Sequence, residues 1–191
     1  PGDTVIYGEN ILSAYQVCDH IIGLAGGNGK MVVIHGQKGT TPEVQRFEGC
    51  KMAIDENPGV ELVAQQWSQQ WSPDEGFNIA QNMLQANPDI SIIFGQADGL
   101  AMGAAKAVEV AGLSDQVIVG GYDGDGAALE SLVACDTPFI VTATQSTQAM
   151  GVLAVNSAIA VANGASVPAR QIPNAVLTTC DDAAQFVEKH P

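Results

Sequence analysis

The feature that most constrains this chain is a repeated alternation of short apolar runs with longer segments whose apolar residues fall three and four apart. A short apolar run bounded by turn residues suits a strand buried on both faces, and the longer period suits a helix packed along one stripe. The predicted strands are residues 31–35, 60–66, 90–95, 117–122, 139–144 and 175–179. Helices are predicted from Ile11 to Ala25, from Thr41 through Ile54, from Ser72 through Leu84, and over 100–111, 127–134, 147–163 and 182–189. Gly26-Gly27, Gly112 and Gly164 stop three of them. Thr41 before Pro42 suggests an N-cap with proline at the first helical position, and Ser72-Pro73-Asp74-Glu75 caps and charges another start. Strand–helix alternation of this kind predicts a doubly wound α/β fold with a parallel sheet covered on both faces. No internal repeat or flexible linker interrupts it.

At 191 residues with 46% apolar content, the chain can bury a substantial core as one domain or as one domain plus part of a second. Seven Lys and Arg face 21 Asp and Glu, a net charge of -14, and no basic run is present to neutralise phosphates. Nucleic acid and anionic membrane surfaces are therefore not expected partners, and the acidity itself is the composition of a solvated surface. No stretch approaches the roughly 18 to 20 apolar residues of a membrane span. The sequence opens Pro1-Gly2-Asp3 with neither an initiator Met nor an apolar leader, as expected of a processed chain or a piece of a longer one. Cys18, Cys50, Cys135 and Cys180 show no C-x-x-C spacing and no His placed to complete a metal site, so no metal is expected. They suit two disulfides or four buried thiols equally.

In an open α/β sheet, ligands bind beyond the carboxyl ends of the strands, and the residues there form a short list. Trp67 and Trp71 follow the second strand, Gln96 and Asp98 the third, Asp123 the fourth and Gln145 the fifth; Arg46 lies in the helix after the 36–41 loop. Taken singly, each is more often a packing residue, a helix cap or a turn residue. Together they supply an aromatic face with planar charged and amide groups, which suits a neutral polyhydroxylated ligand such as a sugar or polyol.

Rival motifs fit less well. The 23–30 segment resembles a phosphate loop only loosely, with Met31 where a metal-binding hydroxyl belongs, and it follows a helix. In Gly124-Asp125-Gly126 the place of a third glycine is taken by Leu129, and Asp123 and Asp125 would repel a pyrophosphate. His20, His35 and His190 have no evident catalytic partners and no G-x-S-x-G elbow is present. Only a carboxylate pair such as Asp98 with Asp123 keeps a sugar-active enzyme as an alternative.

With these motifs in place, the chain resembles the ribose-binding-protein branch of the periplasmic binding protein and LacI-like superfamily over nearly its whole length. The resemblance rests on Gly39-Thr40 with Arg46-x-x-Gly49, Asn82-Met83-Leu84 through Pro88-Asp89, Asp98-Gly99-Leu100-Ala101-Met102-Gly103-Ala104, Val119-Gly120-Gly121-Tyr122-Asp123-Gly124 and Thr144-Gln145. It implies a non-enzymatic, exported solute receptor without a cofactor, which hands a sugar to the membrane permease of an ABC transporter. The sugar-contacting arginine falls on Arg46, the stacking aromatic on Trp71 in preference to Trp67, the hydroxyl-binding aspartate on Asp123 and the hinge-proximal glutamine on Gln145. Ala97 stands where the family usually has an asparagine, which argues against ribose, and the larger face of Trp71 hints at a hexose or cyclic polyol. A LacI-like regulator core is the second alternative; it would need a basic helix-turn-helix ahead of residue 1.

The family layout also implies that 1–145 is a carboxyl-terminal ligand-binding lobe whose amino-terminal partner lobe is missing. On that layout 146–174 is a crossover segment whose helix belongs with the missing lobe, and 175–191 is a return strand and terminal helix. Such a chain alone would expose an apolar surface, from which self-association is expected. If the protein is exported, the expected disulfides join Cys18 to Cys50 on neighbouring helices and Cys135 to Cys180 flanking the late strands.

Overall fold

In the computed structural model, which describes residues 2–187, the chain opens with β1 (Val5–Ile6), α1 (Asn10–Leu24) and β2 (Asn28–His35). α2 (Thr41–Glu56), β3 (Gly59–Trp67), α3 (Pro73–Ala86), β4 (Ile90–Gly95), α4 (Asp98–Val110) and β5 (Ile118–Gly120) continue the alternation. α5 (Gly126–Ala134), β6 (Phe139–Thr144), α6 (Thr147–Ala162), β7 (Arg170–Gln171), β8 (Val176–Thr179) and α7 (Ala184–Val187) complete it.

The main sheet has six strands in the order β3-β2-β4-β5-β6-β8. All neighbours are parallel except β6 and β8, which pair antiparallel from Val141↔Thr179 to Thr144↔Val176. The sheet expected from sequence is thus parallel but for one edge strand. Successive strand residues serve opposite faces. Val32 and Ile34 join the core formed with α3, α4 and α5, whereas Met31 and Val33 join the core under α1 and α2. Burial on both faces is what makes β2 and β4 nearly continuous in apolar residues.

Several predicted boundaries shift for visible reasons. The α2 N-cap is Thr40, not Thr41; its hydroxyl makes no capping bond and donates to the Gln37 carbonyl at 2.8 Å. β5 ends at Gly120; Gly121 and Asp123 still donate to the carbonyls of Val141 and Ala143, while the Tyr122 carbonyl turns to accept from the Asp98 N–H. The predicted terminal helix is present over Ala184–Val187, and its extension to 189 lies outside the described residues.

Both expected disulfides are formed. Cys18–Cys50 ties α1 to α2 with its Cα atoms 5.2 Å apart, and Cys135–Cys180 ties the end of α5 to the residue after β8 with Cα atoms 5.6 Å apart. β1 pairs with β7 in a separate two-stranded sheet, against which α6 packs. Residues 5 and 6, which the family layout groups within 1–145, pair with residues 170 and 171 and contact α6. Of α6 only Ser157 is buried, and Val152, Val155 and Ile159 are exposed. The chain passes between the α6 group and the main sheet three times, at 7–9, at 145–146 and at 172–175.

Candidate functional site

An open cleft of about 450 Å³ lies at the carboxyl ends of the parallel strands, between the start of α2 and the loops after β3, β4 and β5. Arg46, Trp71, Ala97 and Asp123 line it, with Pro42, Pro73, Gly99 and Asp125. Arg46 projects from the second turn of α2, and its Nη2 donates to Asp123 Oδ1 at 2.8 Å. Gln145, just after β6, donates from Nε2 to the same oxygen at 3.0 Å. Asp123 Oδ2 receives no hydrogen bond from the described residues, and the carboxylate is partly open to the cleft. Burial pushes the Asp123 carboxyl above its ordinary range despite Arg46 beside it.

Arg46 is itself buried and fully oriented. Its Nε donates to Asn10 Oδ1 at 3.1 Å, Nη1 to the Gln96 carbonyl at 2.5 Å, and its guanidinium lies 3.8 Å from the centre of the Tyr122 ring. The centre of the Trp71 ring is 5.9 Å from the guanidinium. Trp71 has φ 57° and Asp123 has φ 128°, two of three non-glycine residues with positive φ among those described. Bulky residues rarely adopt such values, and strain of this kind collects where a side chain must be aimed. The loop carrying Trp71 is pinned by the Glu75 carboxylate, which accepts from the Gln69 and Gln70 N–H groups, and by Ser68 Oγ, which accepts from the Trp71 N–H. The indole rests on Gly36, where a Cβ would collide with the ring.

Three of the sequence-nominated residues stand behind the cleft. Trp67 stacks on His35 at 4.5 Å and donates from Nε1 to Glu43 Oε1. Gln96 is fully buried, with Oε1 accepting from the Gly36 N–H and Nε2 donating to the Glu43 carbonyl, both at 2.9 Å. Asp98 is also fully buried; its carboxylate accepts from Thr142 Oγ1, the Gly124 N–H and the Asp125 N–H at 2.6 to 2.8 Å. These bonds brace the walls and leave none of the three side chains lining the cleft. With Asp98 sealed away, an Asp98 and Asp123 pair has no shared access to a substrate, and the glycosidase-like alternative loses its geometry. Among the described residues no group of His, Cys, Asp and Glu is placed to hold a metal ion.

Burial pushes the Asp98 carboxyl up to about 7 from a model-peptide value of 3.8. An acid whose folded pKa lies above its unfolded one favours folding most below the unfolded value, and this contribution is lost as the pH rises through the folded value. Relative to Asp98→Asn, which cannot titrate, the parent protein should therefore gain roughly 2 to 3 kcal/mol between about pH 8 and about pH 5. Urea unfolding across that range tests this, and a constant difference between the two proteins would contradict it.

Sequence reasoning passed over Asn10, Glu43, Tyr122 and Asp125. Asn10 and Tyr122 hold Arg46 from behind. Burial alone would raise the Glu43 carboxyl, but the Gly39 N–H, Trp67 Nε1 and His35 hold it below the ordinary range. Asp125 is exposed on the cleft rim. The one usable signal was adjacency, since Tyr122 and Asp125 flank a nominated aspartate.

Residues 1–166 match the model for the periplasmic binding protein domain family. The D-apiose import binding protein of Actinobacillus succinogenes is 36% identical over 129 residues, covering 68% of this chain and 41% of that protein. The ribose import binding protein of Escherichia coli is 31% identical over 167 residues, 86% of this chain and 54% of that one. The chain thus spans about half the length of the curated relatives it matches. Among solved structures, a solute-binding protein of an ABC transporter from Bacillus halodurans, with bound myo-inositol, superposes with a TM-score of 0.92 at 28% identity. That match covers 99% of this chain and 64% of the other. An Actinobacillus succinogenes homologue with bound D-allose gives 0.91 at 27%, over 95% of this chain and 64% of that one. With a strand order, a cleft and a family match that agree along the chain, this protein belongs to the periplasmic binding protein family, in its type I, ribose-binding-like branch.

Proposed function

We propose that this chain belongs to the solute-binding component of an ABC-type importer, and that its cleft holds a monosaccharide or cyclic polyol without altering it chemically. The observation that carries the reading is the Arg46–Asp123–Gln145 constellation beside the half-buried Trp71, in an open cleft at the strand ends. Asp123 Oδ2 and the uncommitted Arg46 N–H groups offer one acceptor and paired donors to adjacent hydroxyls, while Trp71 offers a surface for the C–H face of a ring. Ala97 at the α4 N-cap contributes no polar group, which leaves more room than an amide would and favours a six-membered ring.

In this reading the main sheet and its helices are one lobe, the α6 group with β1 and β7 belongs to a second, and the opposite wall of the site comes from that second lobe. Lobes joined by three crossing segments close by a hinge motion on the ligand. The relatives named as import proteins, together with two disulfides that suit an oxidising compartment, support export and delivery to a membrane permease.

A thermal-shift panel of pentoses, hexoses and cyclic polyols on the full-length protein tests the reading. At a ligand concentration near 100 times Kd, one member should add about 2.7 kcal/mol of stability. A well-folded protein that shifts with none of them would leave the fold assignment intact and remove the ligand class.

A further inference from the structure

Residues 8–10, which lead from β1 into α1, touch in succession Gln145, Tyr122 and Arg46, of which Arg46 lines the cleft and the other two support its lining residues. Gly8 lies so close to Gln145 that a Cβ there would overlap the Gln145 side-chain oxygen. The Glu9 carbonyl accepts from the Tyr122 hydroxyl at 2.6 Å. Asn10 Oδ1 accepts from Arg46 Nε at 3.1 Å, and the Asn10 amide is itself fixed by donating to Gln45 Oε1 at 3.0 Å. The three contacted residues are joined to one another, because Arg46 and Gln145 share Asp123 Oδ1 and Arg46 lies on the Tyr122 ring.

Neither Asn10 nor Tyr122 lines the cleft, and both are buried. Their contacts decide what Arg46 can present. A guanidinium carries five N–H groups. Asn10, the Gln96 carbonyl and Asp123 take one each, so two remain, and with one ring face on Tyr122 the group cannot turn without breaking a bond.

We propose that Asn10 and Tyr122 are positioning residues that preset the two uncommitted N–H groups of Arg46 for ligand, and that they tie this setting to the 8–10 crossing segment. The proposal rests on the cleft being the sugar site. A shift of the segment that lengthens the Asn10 and Glu9 bonds loosens Arg46. By linkage, a ligand that locks Arg46 favours one arrangement of the segment by the same free energy. The Tyr122 hydroxyl and the Asn10 amide thus join ligand recognition to the joint between the two groups of elements.

The test is a double-mutant cycle on the full-length protein, with Kd for the stabilising sugar measured by calorimetry. Asn10→Ala should raise Kd about tenfold in the parent and less than about twofold in an Arg46→Lys background, where no Nε–H exists to be held. Tyr122→Phe, which keeps the ring and removes only the hydroxyl, should raise Kd about threefold to tenfold and supplies the cycle if Asn10→Ala does not fold. The arginine side-chain NMR signal of Arg46 Nε–H, sharp in the ligand-free parent, should be lost to solvent exchange in Asn10→Ala. Equal losses of affinity in both backgrounds, or unchanged Kd with the signal intact, would overturn the proposal. If the parent binds no sugar, the ligand reading fails by itself and the NMR signal alone decides: its persistence in Asn10→Ala overturns the positioning role, and its loss supports it.

Discussion

Replacing Asp123 by alanine is expected to cost at least about a hundredfold in sugar affinity and to erase the ligand-induced thermal shift. Asp123 is the point where Arg46 and Gln145 converge, and its second oxygen is the acceptor left facing the cleft. The substitution removes that acceptor, the counter-charge that orients Arg46, and the anchor of Gln145 at once. It also strands a buried guanidinium. Losing one partner of a buried ion pair costs about 3 to 5 kcal/mol, and the partial exposure of Asp123 reduces that to about 2 kcal/mol here. The ligand-free protein should therefore melt several degrees lower, and Asp123→Asn, which keeps the shape, should recover part of this loss but little affinity. Calorimetry with circular-dichroism melts on both variants checks it. Sugar binding by Asp123→Ala at parental affinity would place the site elsewhere.

Converting Cys18 and Cys50 to serine is expected to lower stability by about 3 kcal/mol, or about 6 to 12 °C in melting temperature for a domain of this size. The bridge closes a loop of 32 residues and joins the two helices that cover one face of the sheet. Both sulfurs are fully buried among Val17, Ile21, Met31 and Val33, so serine also places hydroxyls without partners in an apolar layer. The same treatment of Cys135 and Cys180, which close 45 residues at the sheet edge, should have a comparable entropic effect and a smaller packing effect. Melting curves of the oxidised, reduced and serine forms give the numbers. Unchanged melting on full reduction would show that the bridges contribute nothing.

Much of this architecture was legible because burial on both faces writes itself into sequence as short apolar runs. The edges of β4 and β6 were read to the residue, and β2 and β3 within three. β1 and β7 were invisible, since two-residue strands have no period to detect. The antiparallel edge was equally hidden, because direction depends on which side the chain returns from after α6. At the cleft, strand-end position nominated Arg46, Trp71, Asp123 and Gln145, and the family resemblance added Ala97; the fold does bring these together. The same rule could not separate Trp71 from Trp67, or foresee that Gln96 and Asp98 turn inward. Their partners, Gly36, Glu43 and Thr142, come from distant elements, so the sequence nearby carries no sign of them.

The two tryptophans stand on opposite sides of one wall. Trp71 lines the cleft, while the indole of Trp67 is stacked on His35 and bonded to Glu43 behind it. The emission of one indole follows whatever enters the cleft, and that of the other follows only the integrity of the wall. A chain reduced to the first by Trp67→Phe would draw all its tryptophan fluorescence from the cleft, and so would report occupancy optically, without any attached dye.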